Sequence, residues 1–532
     1  MTSHSHGVFR ALRQDLLAAN FTRSAVATCL SPEAHRQALD GSFALLTREL
    51  AHLENRALAT LIELFVAGNE VPLSDAESVF RHSTVAALAS LDILGQDLAR
   101  GTVHARVSLS IEAGLAAATA NNPAGELYIL SDLDDHLRQR HARRHAQRRG
   151  DSGHSGTVRD DHVMGVGGAT RTLFRTVPKS SLRGQSVLDL GCGNGVLALA
   201  AASFGAAVTG TDISARALSF ARANTVLNGL EDADITWLEG DLFEPVADQR
   251  FDLVISNPPF VITPQRSEPV QYRSAPLRGD ALMQQIVTAV PEVLAPGGSA
   301  YLLGNWEVHT TQPKELFAAI EGWIGPELSA WVIARDVVSP AEYAKLWSRD
   351  GGALPGTAEY DKLIGTWLDD FAAREVTAVV LGWIQLHHPV AGTESVRRFE
   401  HVTGPAETAA ERFTETLQRA WRIGSEVASL DDAALLGTRL TLAPEVSETR
   451  EYRPGNEHPS KMWLTVSAPL FRSTPVDTAT AGIVGACDGE LTLGDLCAGF
   501  ASLYDADAHE VAAQLLPIIR DLAWQGVFAA AD

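Results

Sequence analysis

The chain has 532 residues, with 43 Lys and Arg against 65 Asp and Glu and a formal net charge of −22. That length exceeds a single hydrophobic core, so several domains are expected. The acidic balance excludes a generally adhesive polyanion binder, because phosphate contacts need clustered cations. No stretch supplies the roughly 18 uninterrupted apolar residues of a membrane span. The opening "MTSHSHGVFRALRQDLLAANF" lacks the basic flank and apolar core of a secretory signal, so a cytoplasmic location is expected. Cys29, Cys192, Cys487 and Cys497 are too scattered for a disulfide framework or a metal cluster, and no metal is expected.

Residues 1–150 read as a mainly helical domain. "LENRALATLIELFVAG", "PLSDAESVF" and "STVAALASLDIL" are apolar-periodic segments divided by turn residues. In "GTVHARVSLSI", Val103, Ala105, Val107, Leu109 and Ile111 alternate with more polar residues and predict a strand. Three helices followed by a strand predict a winged-helix-like module. The tract "LRQRHARRHAQRR" (137–149) carries six arginines and reads either as a solvated connector or as an arm that approaches RNA or another polyanion. "GDSGHSG" (150–156) is a flexible join.

From 151 to 390 short apolar runs alternate with helical patterns. The runs are "SVLDL" (186–190), "AAVTGTD" (206–212), "DITWLEGD" (234–241), "FDLVISNPP" (251–259), "GGSAYLLGNW" (297–306), "SAWVIARDVV" and "TAVVLGWIQL". A helix-rich insertion between Pro340 and Phe371 separates the last two. This rhythm predicts an α/β, Rossmann-like sheet of seven strands with helices on both faces. Residues 391–532 predict a mixed α+β domain, ending in helix, turn, longer helix and the short strand "VFAA", again winged-helix-like.

The glycine turn "DLGCGNG" (189–195) directly follows the first strand of the sheet. Gly191, Gly193 and Gly195 permit close approach of a ligand to the backbone. The sixth position of a dinucleotide fingerprint is Val196 rather than Gly, which counts against NAD or FAD, and no P-loop is present. A nucleoside-bearing ligand without a pyrophosphate remains. Asp212 ends the second strand, where a carboxylate can accept from both ribose hydroxyls. Asp241 ends the third and can accept from the exocyclic amine of an adenine, with Leu242 or Phe243 packing on the ring. Asn257-Pro258-Pro259-Phe260 ends the fourth, so all four features share the carboxyl rim of one sheet.

This set resembles the class I S-adenosylmethionine-dependent methyltransferases, and within them the small-methyltransferase group. That group includes rRNA guanine-N2, tRNA adenine-N6 and release-factor glutamine-N5 methyltransferases. The resemblance covers about residues 155–310, includes "DHVMGVGGAT" (161–170) and "GDLFEPV", and extends to long actinobacterial-type members with extra domains on both sides. It implies that S-adenosylmethionine is held by Asp189, Gly191, Cys192, Gly193, Asn194, Gly195, Asp212, Ile213, Asp241, Leu242 and Asn257. It implies catalysis by Asn257, Pro258, Pro259 and Phe260.

The four-residue motif has a mechanical account. Proline fixes its own φ and restricts the residue before it, so Asn257 is held extended. An acceptor –NH₂ can donate one hydrogen bond to the Asn257 amide oxygen and one to the Pro258 carbonyl. Phe260 can stack on a planar base or amide. The following segment 264–280 reads as a lid, with Tyr272, Arg273 and Arg278 as its recognition candidates. His162 and Thr170 stand near the site mouth in the reading, or serve ordinary helix and loop roles.

The expected function is N-methylation of a planar amino or amide nitrogen on a macromolecule, with an RNA base (rRNA or tRNA) favoured over protein. The alternatives are a release-factor-like glutamine N5-methyltransferase and a cofactor-binding nucleic-acid regulator without catalysis.

Overall fold

The structure, a computed structural model, describes residues 3–39, 42–120, 122–134, 137–138, 140–141, 161–259, 261–262, 264, 279–310, 312, 315–350, 356–405, 412–467 and 470–529. The chain forms two compact units. The first comprises Met1–Arg171, Ser181–Trp323 and Val338–Val379; the second comprises Thr172–Ser180, Ile324–Val337 and Val380–Asp532. Phe260, the "GDSGHSG" join, Tyr272, Arg273, Arg278 and most of the arginine tract lie outside the described residues.

In the first unit, helix Arg56–Phe65 begins at Asn55, whose side chain accepts the Leu58 amide proton at 3.1 Å. An acceptor at this position satisfies one of the orphan donors of a helix start. Strand Val71–Pro72, helices Leu73–Val79 and Val85–Ser90, and strands Leu94–Asp97 and Thr102–Ala105 follow. These strands form an antiparallel three-stranded sheet with Thr102–Ala105 in the middle. The chain order here is helix, strand, two helices and a pair of strands.

The single strand predicted over 103–111 is two. Arg106 turns its N–H to the Ile93 carbonyl at 2.9 Å, leaving Val103 and Ala105 in the three-stranded sheet. Val107–Glu112 instead pairs antiparallel with Leu127–Asp132. Val103, Ala105, Val107, Leu109 and Ile111 are all buried, so the alternation runs through the break without registering it.

A parallel sheet follows. Strand β1 is Ser186–Leu190, helix α1 Val196–Ser203, strand β2 Ala207–Asp212, helix α2 Ala215–Leu227, strand β3 Ile235–Glu239, strand β4 Phe251–Ser256, helix α3 Ala281–Val293 and strand β5 Leu294–Val308. The five strands in this unit run in the order β5-β4-β1-β2-β3. All four pairings among them are parallel. The chain steps outward from β1 to β3 and then returns to β4 on the other side of β1. That reversal opens a crevice beyond the carboxyl ends of β1 and β4, where open α/β sheets bind ligands.

Two asparagines tie the hairpin to this sheet. Asn228 Oδ1 accepts from Tyr128 N and its Nδ2 donates to Tyr128 O, both at 2.8 Å. One helical turn earlier, Asn224 Oδ1 accepts from Leu130 N at 2.8 Å and its Nδ2 donates to Leu130 O at 3.0 Å. Four residues of helix rise about 6 Å and two residues of strand about 6.8 Å, so the spacings match. Asn224 is fully buried, and its Nδ2 also donates to the Asn194 carbonyl in the glycine turn at 2.9 Å. An Asn224→Leu variant strands three peptide groups in the interior. It is expected to lose about 3 kcal/mol of stability, measured as a lowered melting transition, since each orphaned buried group costs on the order of 1–3 kcal/mol.

The insertion is helical, as predicted, over Pro340–Asp350 and Ala358–Ala373. It buries Tyr343 against Trp367 and Phe371, and the Tyr343 hydroxyl accepts from Ile262 N at 3.0 Å and from Asn305 Nδ2 at 2.7 Å. The insertion therefore supports the backbone just beyond the Asn-Pro-Pro-Phe motif.

The second unit carries strands β6 (Ser329–Val338), most of β7 (Ala378–His387) and β8 (Arg397–His401), in the order β8-β6-β7. Strand β8 adds one to the seven expected; "RRFEH" has no apolar alternation to announce it. Trp331, Trp421 and Trp524 pack together with centroids 5.6–6.2 Å apart. Arg472 lies over Trp331 and donates to Glu400 at 2.6 Å, while Trp331 Nε1 donates to the same carboxylate at 2.7 Å. A three-stranded antiparallel sheet over 446–476 and helices Thr478–Gly485, Leu493–Tyr504 and Ala508–Trp524 complete the unit. Among the described residues, no helix is long and apolar enough to cross a membrane and no cluster of His, Cys, Asp and Glu could hold a metal.

Candidate active site

The glycine turn leaves β1 at Leu190, which is in register with Ser256 at the end of β4, and Ser256 Oγ donates to the Leu190 carbonyl at 2.8 Å. The turn and the Asn-Pro-Pro motif therefore start side by side. Gly191, Gly193 and Gly195 have φ of 69°, 54° and 81°, all left-handed. Gly195 has a second reason to be glycine: a Cβ there would lie 2.7 Å from the Trp237 ring, and one at Gly210 would lie 2.4 Å from it. The indole of β3 is thus fitted beneath the turn, a contact that sequence reading missed because Trp237 looks like an ordinary strand residue. A Cβ at Gly191 or Gly193, by contrast, would meet nothing within 4 Å, so the ligand side of the turn is open.

Asp212 closes the turn from β2. Its Oδ2 accepts from Gly193 N and its Oδ1 from Ser214 N, both at 2.8 Å. Each oxygen keeps a second lone-pair site for a further donor. Burial raises its carboxyl above the usual range, opposed by these two backbone donors.

Asp189 points the other way, into the core. It is 1% exposed and accepts from Ala198 N of α1 at 2.9 Å. Burial pushes its carboxyl up to about 7. A carboxyl raised on folding gives up stability as pH climbs from its unfolded value towards its folded one. Asp189→Asn lacks that cost, so its stability relative to the wild type should rise between pH ~4 and ~7 and level off above. The gain is up to about 4 kcal/mol, read from paired melting curves across pH.

Cys192 is buried with its sulfur towards Gly210, and burial raises its thiol well above the ordinary range; only its backbone faces the turn, donating to Thr211 O at 2.9 Å. The Asn194 side chain is engaged internally, donating to Met164 O at 2.9 Å and accepting from Val196 N at 3.2 Å. Ile213 is 55% exposed and Asp241 is exposed on the same rim. Leu242 has φ 45°, a conformation bulky residues seldom adopt, and its carbonyl accepts from Thr211 Oγ1 at 3.4 Å. Such an outlier at a ligand rim marks a turn held by its surroundings.

Asn257 and Pro259 are half-buried and Pro258 is buried. Asn257 Nδ2 donates to Thr170 Oγ1 at 2.8 Å, and among the described residues its Oδ1 has no partner. Thr170 therefore stands at the motif. His162 is buried near Asp132, with Nδ1 3.9 Å from that carboxylate. Of the sequence candidates, the structure gathers Asp212, the glycine turn and Asn257 at one carboxyl rim.

The family model described as "Methyltransferase small domain" matches residues 164–321. Residues 164–321 are a methyltransferase small domain. The domain is of the class I, S-adenosylmethionine-dependent type. A second model, a domain of unknown function (DUF7059), matches residues 18–106. The methyltransferase domain is similar to curated proteins. A release factor glutamine methyltransferase of Geobacter sulfurreducens is 40% identical over 140 residues, 24% of this chain and 48% of that protein. A ribosomal protein uL3 glutamine methyltransferase of Bradyrhizobium diazoefficiens is 35% identical over 153 residues, 27% of this chain and 46% of that protein. A ribosomal RNA small subunit methyltransferase C of Alcanivorax borkumensis is 33% identical over 126 residues, 24% of this chain and 34% of that protein. The chain thus spans less than half the length of each of these relatives.

The open face of the glycine turn, the unfilled lone pairs of Asp212 and the apolar Ile213 and Leu242 beside it fit an adenosine carrying a charged sulfur.

Proposed function

We propose that the protein is an S-adenosylmethionine-dependent N-methyltransferase whose acceptor is a planar –NH₂ carried by a macromolecule. The observation that carries this reading is Asn257. Its amide sits where β4 ends beside the glycine turn, with Nδ2 held by Thr170 and Oδ1 without a hydrogen-bond partner among the described residues.

When bound, S-adenosylmethionine supplies an electrophilic methyl group. Asp212 and the backbone of Gly191–Gly195 would hold it, with Asp241, Ile213 and Leu242 contributing to its adenosine site. Asn257 Oδ1 and the Pro258 carbonyl each accept one hydrogen from the acceptor nitrogen. Two such bonds fix the –NH₂ plane and direct its lone pair along the transfer line. Most of the rate then comes from positioning.

Of the relatives above, two are named for glutamine and one for ribosomal RNA, and both kinds of acceptor present a planar –NH₂. We place the glutamine amide first. A net charge of −22 repels a phosphate backbone. The described start of the arginine tract also packs on the protein: Arg140 donates to Asn69 at 2.9 Å and lies over the Phe43 ring. An RNA base is the second reading, supported by the rRNA relative and the remaining arginines.

Incubating the protein with methyl-labelled S-adenosylmethionine and a cell extract separates them. Label that survives ribonuclease and is released by protease supports the glutamine reading, and label released by ribonuclease supports the RNA reading. Confirmed cofactor binding with no label in either fraction overturns the macromolecular acceptor.

A further inference from the structure

An amide has two orientations about its last torsion, and only one shows its oxygen to an incoming –NH₂. The other brings two donors face to face. A strand end fixes where Asn257 stands but not which way its amide is turned. A partner for Nδ2 decides that.

The partner is Thr170, in the first turn of helix Gly168–Thr176, with Asn257 Nδ2 to Thr170 Oγ1 at 2.8 Å. A hydroxyl offers two acceptor sites against one proton, so it suits the role. The next residue anchors that turn. Arg171 Nε and Nη2 donate to the two oxygens of Glu112 at 2.6 and 2.9 Å, and Glu112 is only 2% exposed. A bidentate arginine–carboxylate pair fixes orientation as well as distance. Glu112 belongs to the hairpin strand Val107–Glu112, whose mate Leu127–Asp132 is bound to α2 by the paired asparagines.

We propose that Thr170 is a positioning residue that sets the Asn257 amide for the acceptor, and that the N-terminal hairpin holds Thr170 in place through the Glu112–Arg171 pair. The inference rests on Asn257 acting on the acceptor, as argued above. It makes the N-terminal part of the chain a component of the catalytic geometry.

The test measures initial transfer rates at saturating labelled S-adenosylmethionine into the extract fraction that takes label, for the full chain and four variants. Thr170→Val is expected to slow transfer about tenfold, the equivalent of one neutral hydrogen bond. Its affinity for S-adenosylhomocysteine, by calorimetric titration, should match the wild type. Thr170→Ser restores the hydroxyl and should return the rate to within about twofold. In an Asn257→Ala background, Thr170→Val should change the residual rate no further, because the group it positions is gone. A wild-type rate for Thr170→Val beside a slow Asn257→Ala overturns this inference and leaves the function intact. Equal loss in the Ser and Val variants, a parallel loss of cofactor affinity, or additive effects in the double variant also overturn it. A wild-type rate for Asn257→Ala overturns the role given to Asn257 and this inference together, while the transfer it records leaves the methyltransferase reading standing.

Discussion

Asn257→Ala is expected to transfer methyl groups about 100- to 1,000-fold more slowly than the wild type, the range seen when one preorganised polar group is removed from a reacting centre. Affinity for S-adenosylhomocysteine should change by less than about threefold, since the turn and Asp212 carry the cofactor. The loss has two parts. The acceptor loses one of its two hydrogen bonds, and its nitrogen then rotates about the one that remains. Thr170 also loses its partner, but Pro258 and Pro259 keep the backbone where it was. Asn257→Asp separates these effects. A carboxylate accepts as well as an amide oxygen, but it has no proton for Thr170, so the amide-setting bond is reversed or lost. An Asp variant as fast as the wild type would show that acceptor capacity alone matters at this position.

Asp212→Ala is expected to weaken binding of S-adenosylmethionine about 100-fold, in a titration at constant pH. The substitution removes the acceptor for Gly193 N and Ser214 N as well as the lone pairs offered to the ribose. Hydrogen bonds to charged groups contribute on the order of 1.5–3 kcal/mol each, and about 2.7 kcal/mol corresponds to the stated loss. Asp212→Asn should fall between, because an amide oxygen can serve one backbone donor while the amide nitrogen opposes the other. A mutant Kd within about threefold of the wild type would place the ribose elsewhere on the rim. Because the fold-level hydrogen bonds of β2 are untouched, the melting temperature should move much less than the affinity.

The central sheet and its rim were legible in the sequence because both leave local marks. Strand β1 reads straight into the glycine turn, and the ends of β2, β3 and β4 carry Asp212, Asp241 and Asn257 at the places a parallel sheet would put them. The long-range partners left no such mark. Asn224 and Asn228 look like polar punctuation on a helix, and only the folded chain shows that they face a strand some 95 positions earlier (|i−j| of 94 and 100). Trp237 supports the turn from a strand whose exposure pattern is mixed. Thr170 was singled out for its closeness to the site, but its bond to Asn257 spans 87 positions and obeys no spacing rule. The break at Arg106 stayed hidden because apolar residues recur at every second position from Val103 to Ile111, straight through it. Strand β8 stayed hidden for the opposite reason, since "RRFEH" pairs without alternating at all.

The asparagine pair on α2 behaves as a surrogate strand. Each primary amide turns one of its N–H donors and its oxygen to the strand, the same two groups that a peptide unit offers to its neighbour in a ladder. With Asp132 N bonded to Val163 O at 3.0 Å, the outer edge of Leu127–Asp132 is satisfied at alternate residues along its length. An edge closed in this way gives no template for pairing with another chain. Because the joint addresses only main-chain atoms of the strand, it is indifferent to which side chains the strand carries. The hairpin can vary in composition and still dock in the same register, so long as the two asparagines stay four residues apart.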